Sequence, residues 1–378
     1  MLYLIPDYYS TFQCVGGICP STCCGGWQIS IDPASLKKYR KISEPLRSRL
    51  ENEIDWKHAC FRQYDDLCAF LNEENLCDLY LEGGGTDAFC RACRIFPRHV
   101  EEFPGRRELS LSLSCPIAAR MILQHKNPVQ FFRIKKDKQE KPDKNFDFSL
   151  FAKLLQTRSI LIHIIQNRQK PFSLRAAISL ALAHDLQQRI DRRALSHTDR
   201  LLQRYSSPKV WQWFENRLDH LDASAANRFA IYHHLFSIFR QLKIMRKDWI
   251  PYLRRTEEVL HASTLPESQR EKKFDEFFTD QTAEQLFLYF IFIYFCGSAY
   301  HGNAFGEMKF CFISVILIRE LSKTQWIADP DAVPTDIITE AAFRLSREIE
   351  HADLNKKRID QILEDQTVWN LENLFLLL

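Results

Sequence analysis

The sequence predicts a mainly α-helical protein in which an irregular, cysteine-rich N-terminal region precedes a bundle-like helical domain. The chain has 378 residues and 12 cysteines, and ten of these cysteines lie between Cys14 and Cys115. Beyond them, apolar residues recur at helical spacing, without alternating strands or an internal repeat. Glycine is scarce, at 11 residues, which disfavours folds built from many tight turns. We expect a cysteine-rich metal-binding domain over 1–130 and an α-helical domain over 147–378.

A charged segment separates these two regions. The sequence RIKKDKQEKPDKN, at 133–145, has almost no apolar residues and contains a proline. Its lysines alternate with aspartate and glutamate, and no aromatic residues are interleaved, so a nucleic-acid-binding patch is disfavoured. We predict a charged linker over 131–146.

Four amphipathic helices are predicted in the C-terminal region from the spacing of their apolar residues. The segments are 147–166, 171–189, 224–245 and 334–351. Ser173 is the expected N-cap of the second helix, and Thr335 or Asp336 that of the fourth. The positions expected to be buried are Leu154, Leu155, Leu161, Ile162, Ile165, Leu174, Ala177, Ile178, Ala181, Leu182, Leu186, Phe229, Tyr232, Phe236, Phe239, Ile338, Ala342, Leu345 and Ile349.

Two strongly apolar segments, 286–296 and 308–318, flank the sequence GSAYHGNAFGE. We predict a buried helix, a glycine-containing turn and a second buried helix. The first segment is the longest apolar run, and it is too short to span a bilayer. The N-terminus lacks the basic, apolar and small-residue parts of a signal peptide. We therefore expect no membrane partner and a cytoplasmic location.

The overall charge argues against nucleic acid as a partner. The formal net charge is +3, whereas proteins that bind duplexes through phosphates usually show a clear basic excess. The glycine cluster EGGGTD, at 82–87, follows LCDLYL, which could be a short strand, but no apolar helix follows before Cys90. We interpret the cluster as a flexible loop, not as the glycine-rich turn of a Rossmann-type methyltransferase.

The cysteines are spaced more like metal ligands than like a disulfide framework. Without an export signal, a dense cysteine cluster favours metal binding. The stretch CVGGICPSTCC holds four cysteines, and the C-x2-C spacing of zinc sites occurs at Cys90 and Cys93. Thiolate-only ligation suits either zinc or an iron–sulfur cluster, so both alternatives stay open. The radical S-adenosylmethionine spacing C-x3-C-x2-C begins at Cys19 and Cys23 but fails at Gly26.

The cysteine motifs resemble those of the flagellin lysine N-methylase family. The motifs are C-x4-C-x3-C-C-x2-W-Q-I, CAFL, CDLY, FCRACRIFPR and LSLSCPIAAR, and they cover 14–120. This family is part of a wider cysteine-rich group, named for a C-x2-C-x2-C-C signature, that is thought to chelate zinc or iron. Here x4 and x3 replace x2 and x2, and AFCRAC stands where the group has R-P-x-x-C. The resemblance implies S-adenosylmethionine-dependent methylation of lysine amines on flagellin, with a 4Fe–4S cluster first and zinc as the alternative.

The resemblance also implies a set of metal ligands. The chelating positions of the wider group fall on Cys14, Cys19, Cys23, Cys24, Cys68, Cys77 and Cys93. Cys90 and Cys115 match the flagellin-methylase branch alone. We interpret Cys60, Cys296 and Cys311 as buried thiols. Which four cysteines would ligate a cluster is not determined, and no catalytic or donor-binding residue is assigned.

Three functions are compatible with these observations. The first is a lysine N-methylase that acts on flagellin. The second is a non-enzymatic metal-binding accessory protein, in which zinc or iron is structural and the helical domain binds a partner. The third, a thiol-redox protein that uses Cys90 and Cys93, ranks last because no βαβ pattern precedes that pair. Tyrosines and carboxylates near the cysteines are interpreted as ordinary surface or turn residues, namely Asp32, Tyr39, Tyr64, Asp65, Asp66 and Tyr80.

Overall fold

The computed structural model shows a mainly helical protein, as predicted. It describes residues 1–137, 143, 145–221, 225–245, 247–262, 267–329, 331–350 and 353–378. The helices are α1 Pro33–Tyr39, α2 Leu46–Glu53, α3 Asp78–Glu82, α4 Arg91–Ile95, α5 Pro116–Leu123, α6 Phe148–Ile165, α7 Phe172–Asp191, α8 Thr198–Tyr205, α9 Lys209–Asp219, α10 Ala225–Phe239, α11 Trp249–Ala262, α12 Glu267–Asp275, α13 Asp280–Tyr294, α14 Ala304–Ala328, α15 Pro334–Glu350, α16 Asp353–Leu363 and α17 Leu371–Phe375.

The N-terminal region, expected to be irregular, contains a four-stranded sheet. In all, the described residues form eight strands: β1 Leu2–Pro6, β2 Ile54–Asp55, β3 Cys60–Phe61, β4 Gln63–Tyr64, β5 Leu67–Cys68, β6 Arg98–Phe103, β7 Arg106–Leu111 and β8 Phe131–Lys135. Two separate pairs are formed by β2 with β3 and by β4 with β5. The sheet order is β6-β7-β1-β8, with β1 parallel to β7 and antiparallel to β8. Leu2 pairs with Arg106, and a local sequence pattern cannot reveal a pairing between such distant residues.

The segment predicted as a charged linker begins as a strand. Residues 131–135 form β8, and the ring of Phe131 packs 4.7 Å from that of Phe292, centroid to centroid. Residues 138–142 and 144 lie outside the described residues. The linker prediction is therefore corrected at 131–135, where pairing with β1 makes the segment part of the sheet.

One hydrophobic core joins the sheet to the helices. Leu4 on β1, Phe103 on β6 and Leu111 on β7 are buried in the same cluster as Leu154 on α6 and Leu345 on α15. A second, smaller core lies within 29–90 and is formed by Ile29, Ile31, Tyr39, Leu46, Leu50, Ile54, Phe61, Cys68, Phe70, Leu79, Ala88 and Cys90. The two cores therefore do not separate at the predicted boundary near residue 130.

The predicted amphipathic helices form as α6, α7, α10 and α15. Their first residues differ slightly from the prediction: α7 has Pro171, not Ser173, as its N-cap, and α15 begins at Pro334, before Thr335 and Asp336. A proline suits the start of a helix because its fixed φ is already helical and its missing N–H would have had no partner. The apolar faces pack into the core as predicted, apart from Leu155, Ile162 and Tyr232, which are partly buried, and Phe229 and Phe239, whose side chains lie outside the described residues.

The buried helical pair is also confirmed. The first apolar segment lies in α13 and the second in α14, and a 3-10 helix, Phe295–Tyr300, follows α13. Asn303 caps α14, where its side-chain oxygen accepts a hydrogen bond from the Gly306 N–H at 2.9 Å. Almost every side chain of α13 is buried, so the aromatic residues there are core residues.

Two helical segments of the described chain, 148–165 and 280–300, are long and apolar enough to cross a membrane. In the second, 83% of the apolar window is buried inside the protein, against 44% in the first. A core helix passes the same test of length and composition. The helical segment at 280–300 is thus longer than the apolar run at 286–296, and its residues are used in the core.

The glycine cluster at 82–87 lies between two short helices. LCDLYL belongs largely to α3, so the expected short strand is a helix, and Gly85–Ala88 form a turn of 3-10 helix. Gly84 and Gly85 both have φ of +85°, a conformation that glycine adopts without a Cβ clash. This turn leads directly to the Cys90 segment.

Candidate functional site

The first four cysteines lie in a loop that runs alongside β5. The loop contains one turn of 3-10 helix, Gly16–Ile18. The Cys68 N–H donates to the Cys24 carbonyl at 2.7 Å, and the Gly26 N–H donates to the Asp66 carbonyl at 2.9 Å. These backbone hydrogen bonds place Cys24 beside Cys68, although the two are far apart in sequence.

The two glycines after Cys24 make this close approach possible. A Cβ on Gly25 would stand 2.7 Å from Leu67 Cδ2 and 3.1 Å from the Asp66 carbonyl oxygen. Gly26 has φ of +86°, in the left-handed region. Glycine is therefore required at both positions after Cys24.

Three of the other predicted ligands stand at the N-terminal ends of short helices. Cys77, Cys90 and Cys115 are the N-cap residues of α3, α4 and α5. Cys93 lies within α4, and its Sγ is 3.6 Å from that of Cys90. The partial positive charge of a helix N-terminus favours a thiolate there.

Every predicted ligand affects, or is affected by, the ionisation of another. Burial raises the pKa of Cys68 to about 11, and charges on Cys77 and Cys90 add to it. Burial likewise raises the pKa of Cys115 to about 11, with a contribution from Cys23. The cysteines linked in this way are Cys14, Cys19, Cys23, Cys24, Cys68, Cys77, Cys90, Cys93 and Cys115, here called the cysteine cluster.

Within the cluster, Cys90 and Cys93 share one proton. Their hydrogen bond lowers the pKa of Cys90 to about 7 and raises that of Cys93 far above the ordinary thiol value. Cys90 is thus the more acidic thiol of the pair. The Sγ separation of 3.6 Å is much longer than a disulfide bond, and both residues are free thiols.

The donor chemistry of the cluster suits a thiophilic metal, because all its members are free thiols from several chain segments. In the described residues, however, no group of three or more His, Cys, Asp or Glu side chains is arranged as a metal site. The structure therefore brings the predicted ligands into one region without arranging any three around one point. Their assignment as metal ligands stays a prediction.

The three cysteines interpreted as buried thiols are indeed buried. Cys60 accepts a hydrogen bond from the Gln28 side-chain amide at 2.8 Å, while Cys296 and Cys311 lie in the main core. Burial raises the pKa of Cys296 to about 12, which disfavours its thiolate. None of these residues belongs to the cysteine cluster.

Two of the polar residues near the cysteines have structural roles, although Tyr39, expected at the surface or in a turn, is buried in the smaller core. Asp32 caps α1 by accepting the Ser35 N–H at 3.0 Å, and it also accepts the Arg91 N–H at 2.8 Å. Tyr39 donates its hydroxyl to the Ala88 carbonyl at 2.9 Å. Both residues hold the Cys90 segment against α1.

Arg347 on α15 connects the helical region to the cysteine loop. Its side chain is buried, and its guanidinium donates to the Ser114 carbonyl at 2.9 Å and to the Ser21 hydroxyl at 2.7 Å. The same group lies over the rings of Trp27 and Phe343, 5.2 and 4.9 Å from their centroids. Such a stacked, several-fold hydrogen-bonded position suits the planar fork of arginine and no other side chain.

The charge of Arg347 also acts on the thiols of the loop. Burial raises the pKa of Cys19, and the hydrogen bond with Cys24 raises that of Cys23. The positive charge of Arg347 opposes both increases and so favours the thiolate forms.

One turn further along α15, Glu350 forms a second polar group with Tyr289 of α13 and with Ser112, which follows β7. Tyr289 donates its hydroxyl to Glu350 Oε1 at 2.9 Å, and the Ser112 hydroxyl donates to Glu350 Oε2 at 2.7 Å. The Leu113 N–H donates to the Tyr289 hydroxyl at 3.0 Å, two residues before Cys115. This carboxylate and phenol therefore lie next to the segment that carries Cys115.

Sequence reasoning did not identify Arg347, Tyr289 or Glu350. Each lies in a helix whose local pattern is that of an ordinary core or amphipathic helix. The single available signal is that Arg347 occupies a position on the buried face of α15, four residues after Phe343.

A cavity of about 860 Å³ lies elsewhere, between α7, α8, α9 and α17. Aromatic rings of Tyr205, Trp213, Phe214 and Phe375 form much of its wall. No cysteine lines it. We take the cysteine cluster and the adjoining residues Arg347, Tyr289 and Glu350 as the candidate site, because possible metal ligands and acid–base groups lie near one another there.

Comparisons with known proteins indicate similarity to lysine N-methylases. The sequence model of the family described as FliB lysine N-methylase C-terminal domain matches residues 158–377. The flagellar biosynthetic protein FliU of Salmonella muenchen is 30% identical over 127 residues, which is 31% of this chain and 75% of that protein. Two proteins named lysine-N-methylase, from Salmonella typhimurium and Salmonella choleraesuis, are also 30% identical over 127 residues, and the match covers 31% of this chain and 31% of each relative. No solved structure matches the chain.

Proposed function

The chain belongs to the FliB lysine N-methylase C-terminal domain family, and from this premise we propose that it transfers methyl groups to lysine side chains of flagellin. The family description and the names of two relatives support a lysine methyltransferase, and the flagellar name of the third, FliU, favours a flagellar substrate. The match covers about a third of the length of the two lysine-N-methylases, so the activity and the substrate are both part of the proposal.

The observation that carries the proposal is the position of the family match. It covers 158–377, the helical region in which the sequence shows no quotable motif, while the motif resemblance covers the cysteine region. Arg347, inside the matched region, donates hydrogen bonds to the loop that holds Cys19 and Cys23. Both regions therefore contribute to one face of the protein, which supports a single functional unit.

We further propose that the cysteine cluster holds a 4Fe–4S cluster and that S-adenosylmethionine is the methyl donor. The free thiols, which come from several chain segments, support thiolate ligation, and zinc is the alternative metal. When bound, an iron–sulfur cluster would supply a redox-active or Lewis-acidic iron, and the donor would supply the methyl group. The residues that would hold the metal are those of the cysteine cluster, with Arg347 and the CCGG turn fixing the loop.

The proposal is tested by methyl transfer from isotope-labelled S-adenosylmethionine to unmodified flagellin under anaerobic, reducing conditions. Iron, acid-labile sulfide and zinc are assayed on the same anaerobic preparation. We expect label on lysine side chains and stoichiometric iron and sulfide. Cys23→Ala and Cys93→Ala should lose both metal and activity, whereas Cys60→Ala, a buried thiol outside the cluster, should keep the metal.

The possible results separate the candidate functions. Zinc without methyl transfer would favour the non-enzymatic metal-binding protein. Full activity in Cys23→Ala and Cys93→Ala would remove the metal from the mechanism. The proposed setting is the cytoplasm, where flagellin is accessible before export and where thiols stay reduced.

A further inference from the structure

One face of β7 is buried and polar, which is unusual for a central strand. Glu108 and Ser110 lie on this face, Ser112 follows one residue after the strand ends, and each of the three is at most 8% exposed. Glu108 pairs with Arg158, and Ser112 with Glu350. The Ser110 hydroxyl, 1% exposed and between these two groups, has no hydrogen-bond partner in the described structure. A buried hydroxyl without a partner costs free energy, so a site that keeps one is a candidate for binding a polar ligand.

The neighbouring strand adds titratable groups to the same face. His99 on β6 is directly opposite Ser110 in the sheet register, and Glu101 follows two positions later on that face. His99 Nε2 lies 2.6 Å from Glu101 Oε1. The side chains of His99 and Glu101 are 39% and 30% exposed, so this side of the polar face of the sheet is open to solvent.

On its other side, the polar face of the sheet is covered by helices. Tyr289 on α13 reaches it, because its hydroxyl donates to Glu350 Oε1 at 2.9 Å. The Glu350 carboxylate accepts from two hydroxyls, and within the described residues it forms no ion pair. Glu108, by contrast, is fully paired with arginines, so it serves to attach β7 to α6.

The polar group is connected to the cysteine loop through short hydrogen bonds. Ser112 lies 2.6 Å from Ser114, oxygen to oxygen, and the Ser114 carbonyl accepts from Arg347 at 2.9 Å. Arg347 and Glu350 are three residues apart on α15 and so lie on one side of that helix. A group bound at Glu350 would therefore be close to anything held at the cysteine loop.

The chemistry of the proposed reaction needs such a site. A lysine amine has a pKa of about 10.4 in water, so it arrives as an ammonium ion and must lose a proton before its lone pair can attack a methyl group. A carboxylate with phenol and imidazole neighbours binds an ammonium ion and accepts its proton. Neutral hydroxyls, such as those of Ser110 and Ser112, complete the hydrogen bonds of the nitrogen.

We propose that Glu350, held by hydrogen bonds from Tyr289 and Ser112, is the binding site and proton acceptor for the ε-ammonium group of the substrate lysine. The inference rests on the proposed function. In the step, an N–H bond of the ammonium breaks and an O–H bond forms on Glu350. The freed lone pair then forms the N–C bond to the methyl group of a methylsulfonium donor, whose S–C bond breaks and leaves a neutral thioether.

The test compares Glu350→Gln and Tyr289→Phe with the wild type in the labelled methyl-transfer assay. We expect Glu350→Gln to lower kcat by about 100-fold or more, the usual contribution of a general base. The loss in kcat should shrink as the pH approaches the pKa of the free lysine amine, because the lysine then arrives already neutral. A purely structural role would not give this pH-dependent rescue.

Matched controls separate chemistry from folding. Glu340→Gln, on an exposed part of the same helix, should keep wild-type kcat and KM. Glu350→Asp keeps the carboxylate and should recover part of the rate. Circular dichroism melts and the metal content of each variant show whether the fold and the cysteine loop are intact.

A binding measurement keeps this inference distinct from the proposed function. The probe is N-acetyl-lysine methylamide, titrated into wild type and Glu350→Gln by NMR. If the wild type methylates and Glu350→Gln is equally fast, the amine site is wrong and the function stands. If the wild type transfers no methyl group but binds the probe in a Glu350-dependent way, the site stands and the function fails. If the wild type neither transfers a methyl group nor binds the probe, both the amine site and the proposed function are wrong.

Discussion

Arg347 is the residue at which the helical region and the cysteine loop are joined. Its guanidinium meets backbone and hydroxyl oxygens of Ser21 and Ser114, and its flat faces lie over Trp27 and Phe343. These contacts give the buried charge of Arg347 directional hydrogen bonds and aromatic rings to stack on. A lysine at this position would supply a point charge but neither the fork nor the stacking surface.

Replacement of Arg347 should therefore destabilise the protein and loosen the cysteine loop. We expect Arg347→Gln to lower the free energy of unfolding by about 2–4 kcal/mol, since it removes hydrogen bonds to a charged group in a buried place. Thermal melts and iron content measure the two effects. Arg217→Gln, which breaks an exposed pair with Glu372, should change stability by less than about 1 kcal/mol. Equal stability of the two variants would contradict the role of Arg347.

His99 offers a pH-dependent test at the same scale. Burial alone would lower its pKa, but the hydrogen bond and charge of Glu101 and the charge of Glu350 outweigh burial and raise it above 6.5. Because the folded pKa is raised, the stability gained from the charged imidazole is present at low pH and is lost as the pH rises through the folded pKa. We expect NMR titration to give a midpoint above 6.5 in the wild type.

The neighbouring carboxylate provides the control for this titration. In Glu101→Gln the hydrogen bond becomes neutral and the closest negative charge is removed, so burial dominates and the midpoint should fall below the wild-type value. An unchanged midpoint would show that Glu101 does not set the ionisation of His99.

At the scale of elements, the sheet and the helices are held together by a buried ion pair. Arg158 on α6 donates to both carboxylate oxygens of Glu108 on β7 and to the Phe292 carbonyl. Burial alone would raise the pKa of Glu108, yet the charges of Arg158 and Arg106 outweigh it and leave the pKa lowered. The pair fixes the position of β7, and with it the polar face that carries Ser110 and Ser112.

Breaking this pair on one side should be costly. We expect Arg158→Met to destabilise the protein by about 3–5 kcal/mol, because Glu108 keeps its charge in a buried place with fewer partners. Arg47→Gln, which removes an exposed helix pair with Glu51, should cost less than about 0.5 kcal/mol. Denaturant unfolding of both variants gives the comparison, and similar costs would show that the buried pair does not hold β7.

For the whole molecule, the main hydrophobic core is built from both ends of the sequence. Leu4, Phe103 and Leu113 from the N-terminal region share it with Leu345 and Phe375 from the C-terminal region. The smaller core of 29–90 is attached to it through Arg347 and the neighbouring loop. The fold thus couples the order of the cysteine loop to that of the helices.

An isolated fragment of residues 147–378 should therefore not fold cooperatively. Without β1, β6, β7 and α5, the helices would expose the apolar surface that now packs against Leu4 and Leu113. We expect a non-cooperative melt by circular dichroism and binding of a hydrophobic dye, against one cooperative transition in the full chain. A cooperative melt of the fragment with full helix content would show that the two regions are independent domains.

The sequence by itself determined the helical character of the C-terminal region, the two buried helices around 297–307 and the family resemblance. These features depend on local spacing of residues, which one sequence records directly. It did not reveal the four-stranded sheet, the shared core, or the contacts of Arg347 and Glu350 with residues near 21 and 112. These depend on pairings between residues far apart in the sequence, as in Leu2 with Arg106 and Ser21 with Arg347, which are 326 positions apart. Such contacts form because folding buries distant apolar and polar groups together, and tertiary structure alone decides which ones meet.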